Sequence, residues 1–214
     1  WLHGFGGQVY LDENDVLDLD SHASARSVEF VRSLVTKHRI SPEEVTSALV
    51  TALFNQHKLA FVLSGPWFRA ELADHPSWGV APLPKVSETD LPARPFLGVE
   101  GVLMSARSAR KANAFKLMKS LTSDQAALAR FRIARQLVAN AKVYELEEVK
   151  TDPFASAFAA QVKNTVPLSN RPHMRRVWSP LKRALSQSIS RGRPAQEALR
   201  SAVRLIESKD DRHE

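Results

Sequence analysis

The sequence predicts an α/β fold with more helix than strand, and three observations carry that reading. Apolar residues recur at helical spacing through most of the chain, strand-length apolar runs such as 59–63 interrupt them, and Gly and Pro punctuate the joins instead of forming tracts. The 214 residues are 43 % hydrophobic, 25 % charged and 7 % aromatic, with no Cys. That composition excludes collagen-like, disulfide-stapled and low-complexity chains, and the length suffices to bury a core without metal or disulfide support. The lack of Cys suits an oxidising compartment and equally suits many cytosolic domains.

Taken in order, Gly4-Phe5-Gly6-Gly7 is a glycine turn and Gln8-Val9-Tyr10-Leu11 a short strand, followed by the acidic turn Asp12-Glu13-Asn14-Asp15. A helix of about 15 residues starts at Ser21 or His22, with Val28, Val31, Leu34 and Val35 on its apolar face. Ser41-Pro42-Glu43-Glu44 reads as the next helix start, with Ser41 as cap, Pro42 at the first position and Glu44 closing a capping box; that helix runs to about His57. Residues 59–63 read as a strand buried on both faces, and Pro66 opens a short helix over 66–72. Strands are expected at 78–81 and 96–104, on either side of a connector containing Pro82, Pro84, Pro92 and Pro95. Helices follow at 110–121, at 124–135 behind a Ser123 cap, at 153–164 behind Asp152 with Pro153 first, at 173–190 and at 194–208.

The formal charge of +7 is unevenly placed. Residues 1–107 carry 9 basic and 13 acidic residues, and 108–214 carry 21 and 10. A basic half raises the nucleic-acid class, but Trp178 alone is interleaved with its arginines and no recognised module is present, so solvated helix faces explain it better. No stretch approaches the roughly 18 apolar residues of a membrane span. Trp1, with no basic or apolar leader before Gly4, reads as an internal cut.

No catalytic motif is present: no nucleophile elbow, phosphate loop, dinucleotide fingerprint or zinc-protease helix. The seven His are scattered without ligand spacing, and Asp12, Glu13, Asp15, Asp18 and Asp20 lack the order of a calcium loop, so no metal, no cofactor and no enzyme activity is expected. Two tryptophans stand out. Trp67 lies just past an expected strand, where α/β sheets present ligand groups. Trp178 lies four residues before Lys182, so the two share a face if both are helical. An indole beside polar groups can cover the C–H face of a sugar; each Trp can equally be a partly buried core residue.

Phe61-Val62-Leu63-Ser64-Gly65-Pro66-Trp67, Trp78-Gly79-Val80-Ala81-Pro82-Leu83-Pro84, Arg94-Pro95-Phe96-Leu97-Gly98-Val99-Glu100-Gly101 and Pro172-His173-Met174-Arg175-Arg176-Val177-Trp178 together resemble the maltose/maltodextrin-binding proteins of ABC importers, in the family's order and at about its spacing. The resemblance implies a two-lobed periplasmic-binding-protein-like (type II) fold, of which this helix-rich chain is mostly the C-terminal lobe. It implies residues 1–84 in that lobe, a hinge or connector over 85–95, a return to the N-terminal lobe over 96–147, and the C-terminal lobe again over 148–214. It further implies that Trp67 and Trp178 stack on sugar rings and that Lys182 stands where the family has a hydroxyl-binding arginine; lysine keeps the charge and loses the planar fork. Pro180 is expected to start the last ligand helix near Trp178 or to kink it. The implied function is a periplasmic or cell-surface receptor delivering maltose or maltodextrins to an ABC permease. No nucleic acid is implied, and membrane contact is expected only through the permease or an anchor outside this segment. A receptor for another oligosaccharide or a polyol is the alternative. The family's earlier residues, including a Glu-Pro-aromatic motif, are expected before Trp1, and the chain alone is expected to bind sugar poorly.

Overall fold

The computed structural model describes residues 1–11, 16–43, 45–73 and 78–208. In chain order its helices are α1 (His22–Thr36), α2 (Ser47–Asn55), α3 (Lys111–Leu121), α4 (Asp124–Ala134), α5 (Glu147–Lys150), α6 (Pro153–Val162), α7 (Met174–Ile189) and α8 (Ala195–Glu207). Six two-residue strands, β1 (Tyr10–Leu11), β2 (Val16–Leu17), β3 (Lys85–Val86), β4 (Leu91–Pro92), β5 (Phe96–Leu97) and β6 (Val166–Pro167), pair as β1-β2 and β3-β4 antiparallel and β5-β6 parallel. Three 3₁₀ turns cover Leu2–Phe5, Pro66–Glu71 and Ala141–Glu145.

The chain forms two compact units, one of Trp1–Val45, Leu83–Leu97 and Asn164–Glu214, the other of Thr46–Pro82 and Gly98–Lys163. The expected lobes divide elsewhere, near 84, 95 and 147. A compact unit is set by contacts within this chain and a lobe by its side of a cleft, so the two divisions describe different things.

In the first unit α1, α7 and α8 pack around Ala25, Val28, Ala184, Ala195, Ala198, Leu199 and Ala202. The small residues let the helix backbones approach closely. A second cluster of Val9, Leu19, Met174, Val177, Val203 and Ile206 continues it beneath β1 and β2. The caps are local or borrowed. Ser21 Oγ accepts from the Ser24 amide, whereas Pro194 has no capping side chain and Glu29 Oε1 of α1 accepts from the Ala195 amide at 3.1 Å. Gly6 takes φ 85°, and a Cβ on Gly7 would lie 2.7 Å from Ser24 Oγ, so this glycine turn serves the close approach of the chain to α1.

In the second unit α4, α5, α6 and the turn Ala141–Glu145 enclose Ala127, Phe131, Val138, Val143, Val149 and Ala155. Ser123 and Asp152 cap α4 and α6 as expected, through the amides of Ala126 and Ala155.

Several expectations are corrected. Helix α2 is capped by Thr46 and begins at Ser47, five residues after the expected first position Pro42. The expected capping partner Glu44 and the acidic positions Asp12, Glu13 and Asp15 lie outside the described residues. Residues 59–63 and 78–81 are irregular, and of 96–104 only Phe96–Leu97 is strand. Phe61 is 90 % and Leu103 93 % exposed, the reverse of a strand buried on both faces. The segment 66–72 is a 3₁₀ turn, and the connector 85–95 carries the β3-β4 hairpin, whose Thr89 Oγ1 donates to the Gly4 carbonyl at 2.6 Å. Helix α7 starts at Met174, four residues before Trp178, and runs on through the buried Pro180, which offers no N–H to the Arg176 carbonyl. No helix among the described residues is long and apolar enough to cross a membrane.

Leu199 is 1 % exposed at the centre of the three-helix core. Leu199→Ala is expected to destabilise the first unit by about 2–5 kcal/mol, read as a lowered urea midpoint with an unchanged m value.

Candidate functional site

Trp178 and Lys182 project from one face of α7. Met174, Val177, Ala184 and Ser188 turn its other face into the core, and Val177 is fully buried while its neighbour Trp178 is 46 % exposed. The indole is held from one side by Phe96, edge to face with centroids 6.3 Å apart and planes at 80°. Phe96 sits on β5, where the Val166 amide donates to the Pro95 carbonyl and the Leu168 amide to the Leu97 carbonyl, each at 3.0 Å. His3 packs edge to face with Phe96, centroids 4.9 Å apart, and its Nδ1–H donates to the Arg94 carbonyl at 2.6 Å. Arg94 Nη2 in turn donates to the Thr165 carbonyl at 2.9 Å. The result is an aromatic ladder, His3, Phe96 and Trp178, whose last rung faces solvent.

Burial lowers the His3 imidazole below its ordinary pKa, and the hydrogen bond to the Arg94 carbonyl partly opposes it.

Trp67 belongs to the second unit, on the turn Pro66–Glu71, and is 69 % exposed. Its ring folds back over Gly65, where a Cβ would collide with the indole. Glycine is therefore required before Pro66 if the ring is to lie there. The turn is tied down at both ends. Arg69 forms a two-pronged bond to Asp152 (3.0 and 3.4 Å), with both side chains under one-fifth exposed, and lies 5.0 Å over the Phe154 ring. Asn55 of α2 donates to the Glu71 carbonyl at 2.9 Å and accepts from the Ala73 amide at 3.0 Å, while Thr51 Oγ1 donates to Glu71 Oε2.

The structure thus brings Trp178 and Lys182 together and gives Trp67 its own rigid mount in the other unit. Sequence reading missed Phe96, His3 and the Arg69–Asp152 pair; Asp152 was readable as a cap and gave no sign of its partner 83 residues away. Asp18 accepts from the Gln8 amide and the Ser21 hydroxyl, a turn role. Among the described residues no group of three or more His, Asp or Glu could hold a metal ion. Arg130 and Arg132 of the basic half are committed to the Leu121 carbonyl and to Glu148.

A family model described as bacterial extracellular solute-binding protein matches residues 1–157. A maltooligosaccharide ABC transporter solute-binding lipoprotein of Streptococcus pneumoniae is 27 % identical over 203 residues, 94 % of this chain and 48 % of its own length. A galactooligosaccharide-binding protein of Bacillus subtilis is 25 % identical over 146 residues, 68 % of this chain and 34 % of its own. The solved maltose-maltodextrin binding protein of Alicyclobacillus acidocaldarius superposes with a TM-score of 0.88 at 27 % identity, covering 96 % of this chain and 57 % of that one. The chain spans about half the length of the curated relatives it matches first.

Two outcomes follow from the geometry. Asp152→Asn keeps an acceptor for the Ala155 amide and loses the ion pair, so it is expected to cost about 1–2 kcal/mol, and Asp152→Ala about 1 kcal/mol more because the cap goes too. Urea titration of both variants checks the difference. Because the His3 value is depressed in the fold, the unfolded chain takes up a proton first on acidification. Its stability contribution is complete above the unfolded value of about 6.5 and is lost as pH falls through the folded one. The urea midpoint is expected to drop as pH falls below about 6.5, and less so in His3→Phe.

Proposed function

The chain belongs to the bacterial extracellular solute-binding proteins, and from that premise we propose that it captures an oligosaccharide and hands it to an ABC importer. Its fold is that of the periplasmic binding proteins, a family of receptors and not of enzymes. The observation that carries the sugar reading is the pair of mounted, solvent-facing indoles, Trp67 over Gly65 and Trp178 against Phe96. A surface indole normally buries part of its apolar area; one held rigid with a face open offers a platform for the C–H face of a sugar ring at little ordering cost.

Maltose and maltodextrins are the first ligands in this reading, by similarity to the 27 % identical relatives. Residues 1–84 and 148–214 supply one lobe, 96–147 return to the other and 85–95 join them. The receptor works in the periplasm or at the cell surface, and its permease is its membrane partner. A second reading, another oligosaccharide or a polyol, is favoured by Lys182: an ammonium in place of a guanidinium cannot make the two-pronged bond that fixes a hydroxyl pair.

Calorimetry of the full-length protein with maltose, maltotriose, longer dextrins and galactooligosaccharides tests the proposal. Heat is expected with at least one series, with Trp67→Ala and Trp178→Ala each weakening it by about tenfold or more, equivalent to about 1.4 kcal/mol. No heat with any of them, or binding indifferent to both substitutions, overturns it.

A further inference from the structure

The exposed face of α7 is more than an aromatic platform. Arg175, Trp178 and Lys182 fall at i, i+3 and i+7, one stripe along the helix, with a cation on each side of the half-exposed indole. Neither cation has a hydrogen-bond or ion-pair partner among the described residues, in contrast to Arg26, Arg32, Arg69, Arg132 and Arg193, which all do. The surrounding sequence offers no counter-charge: residues 153–196 hold eight Lys and Arg and no Asp or Glu.

The chemistry of the stripe is one-sided. A neutral sugar presents hydroxyls that both donate and accept, and a cradle for it mixes acceptors with donors. Guanidinium and ammonium groups only donate, and they bond best to carboxylate or sulfate oxygens. The α7 amides do not compete for that role, because those of Met174, Arg175 and Arg176 are taken by the carbonyls of Arg171, Pro172 and His173.

We propose that the stripe Arg175, Trp178 and Lys182 selects an acidic oligosaccharide, one carrying a carboxylate beside the ring that stacks on Trp178. This rests on the oligosaccharide reading above and, within it, sets an acidic ligand ahead of the neutral maltodextrins. Arg175 is the specificity-determining residue: it supplies the fork that Lys182 lacks.

Fluorescence titration of the full-length protein with trigalacturonate and with maltotriose as matched acidic and neutral probes tests it. Trigalacturonate is expected to bind at least about tenfold tighter, with the margin shrinking as salt is raised. Arg175→Gln is expected to remove most of that margin and to leave maltotriose affinity within about twofold, and Lys182→Gln to weaken trigalacturonate at least about tenfold more than it weakens maltotriose. Arg183→Gln, an exposed cation of the same helix lying off the stripe, is expected to change neither. Trisulfated maltotriose, which carries its three charges on sulfates, binding as tightly as trigalacturonate in the presence of Arg175 overturns the carboxylate assignment. Maltotriose binding as tightly as trigalacturonate overturns this proposal and leaves the oligosaccharide reading standing. Binding of neither overturns both, and an equal loss in Arg183→Gln reduces the effect to bulk charge and overturns the stripe.

Discussion

The rotation of α7 about its own axis is the constraint on which the rest of the first unit depends. Met174, Val177, Pro180, Ala184 and Ser188 are buried in the first unit, and Leu181, Leu185 and Ile189 pack on the same core, so one face of the helix is committed to it. With Val177 in the core, the 100° step to the next residue turns Trp178 outward and Lys182 with it. The small residues Ala184, Ala195, Ala198 and Ala202 reinforce this, since close-packed helices cannot roll without opening cavities. Pro180 sits inside the same buried face, so its missing N–H costs a backbone bond where packing on both sides holds the helix together.

Helices were largely legible and strands were not, for one physical reason. A helix carries its hydrogen bonds and caps within a dozen residues, so Ser21, Ser123 and Asp152 announced α1, α4 and α6 to within a residue or two. A strand is a property of two segments. The run 59–63 has the composition of a strand flanked on both sides, yet the described residues supply it no ladder, and Phe61 and Leu63 stand exposed. The short parallel pair β5-β6 forms where a partner does exist, 70 residues away in the register Phe96 with Val166. Ser41 and Thr46 offer the same kind of cap five residues apart, and the helix takes Thr46, whose Oγ1 accepts from the Leu49 amide.

The candidate site divides along the same line. Trp67, Trp178 and Lys182 could be picked out from motif and spacing, because each lies in a local pattern. What holds them could not. Phe96 reaches Trp178 and His3 reaches Phe96 across more than 80 and 90 residues of sequence, and Arg69 reaches Asp152 across 83. Gly65 is the instructive middle case. Its place before Pro66 looked like turn chemistry, and the structure gives it a second role as the floor under an indole that any Cβ would lift.

The charge distribution follows from which cations the fold uses. Arg69 and Arg132 are consumed by Asp152 and Glu148, and Glu148 is accordingly held below the usual carboxylate range by its hydrogen bond to Arg132. Helix α7 is charged differently at its start. Its first turn holds Arg175 and Arg176, contains no acidic residue and has no side-chain cap, an arrangement that opposes the helix dipole by about 0.3–1 kcal/mol per charge. Helices α4 and α8 place an acid in the first turn and a base in the last, so the chain makes well-ordered helix ends elsewhere. The first turn of α7 thus goes against the dipole rule that α4 and α8 follow, and packing of the buried face is what holds the helix in spite of it.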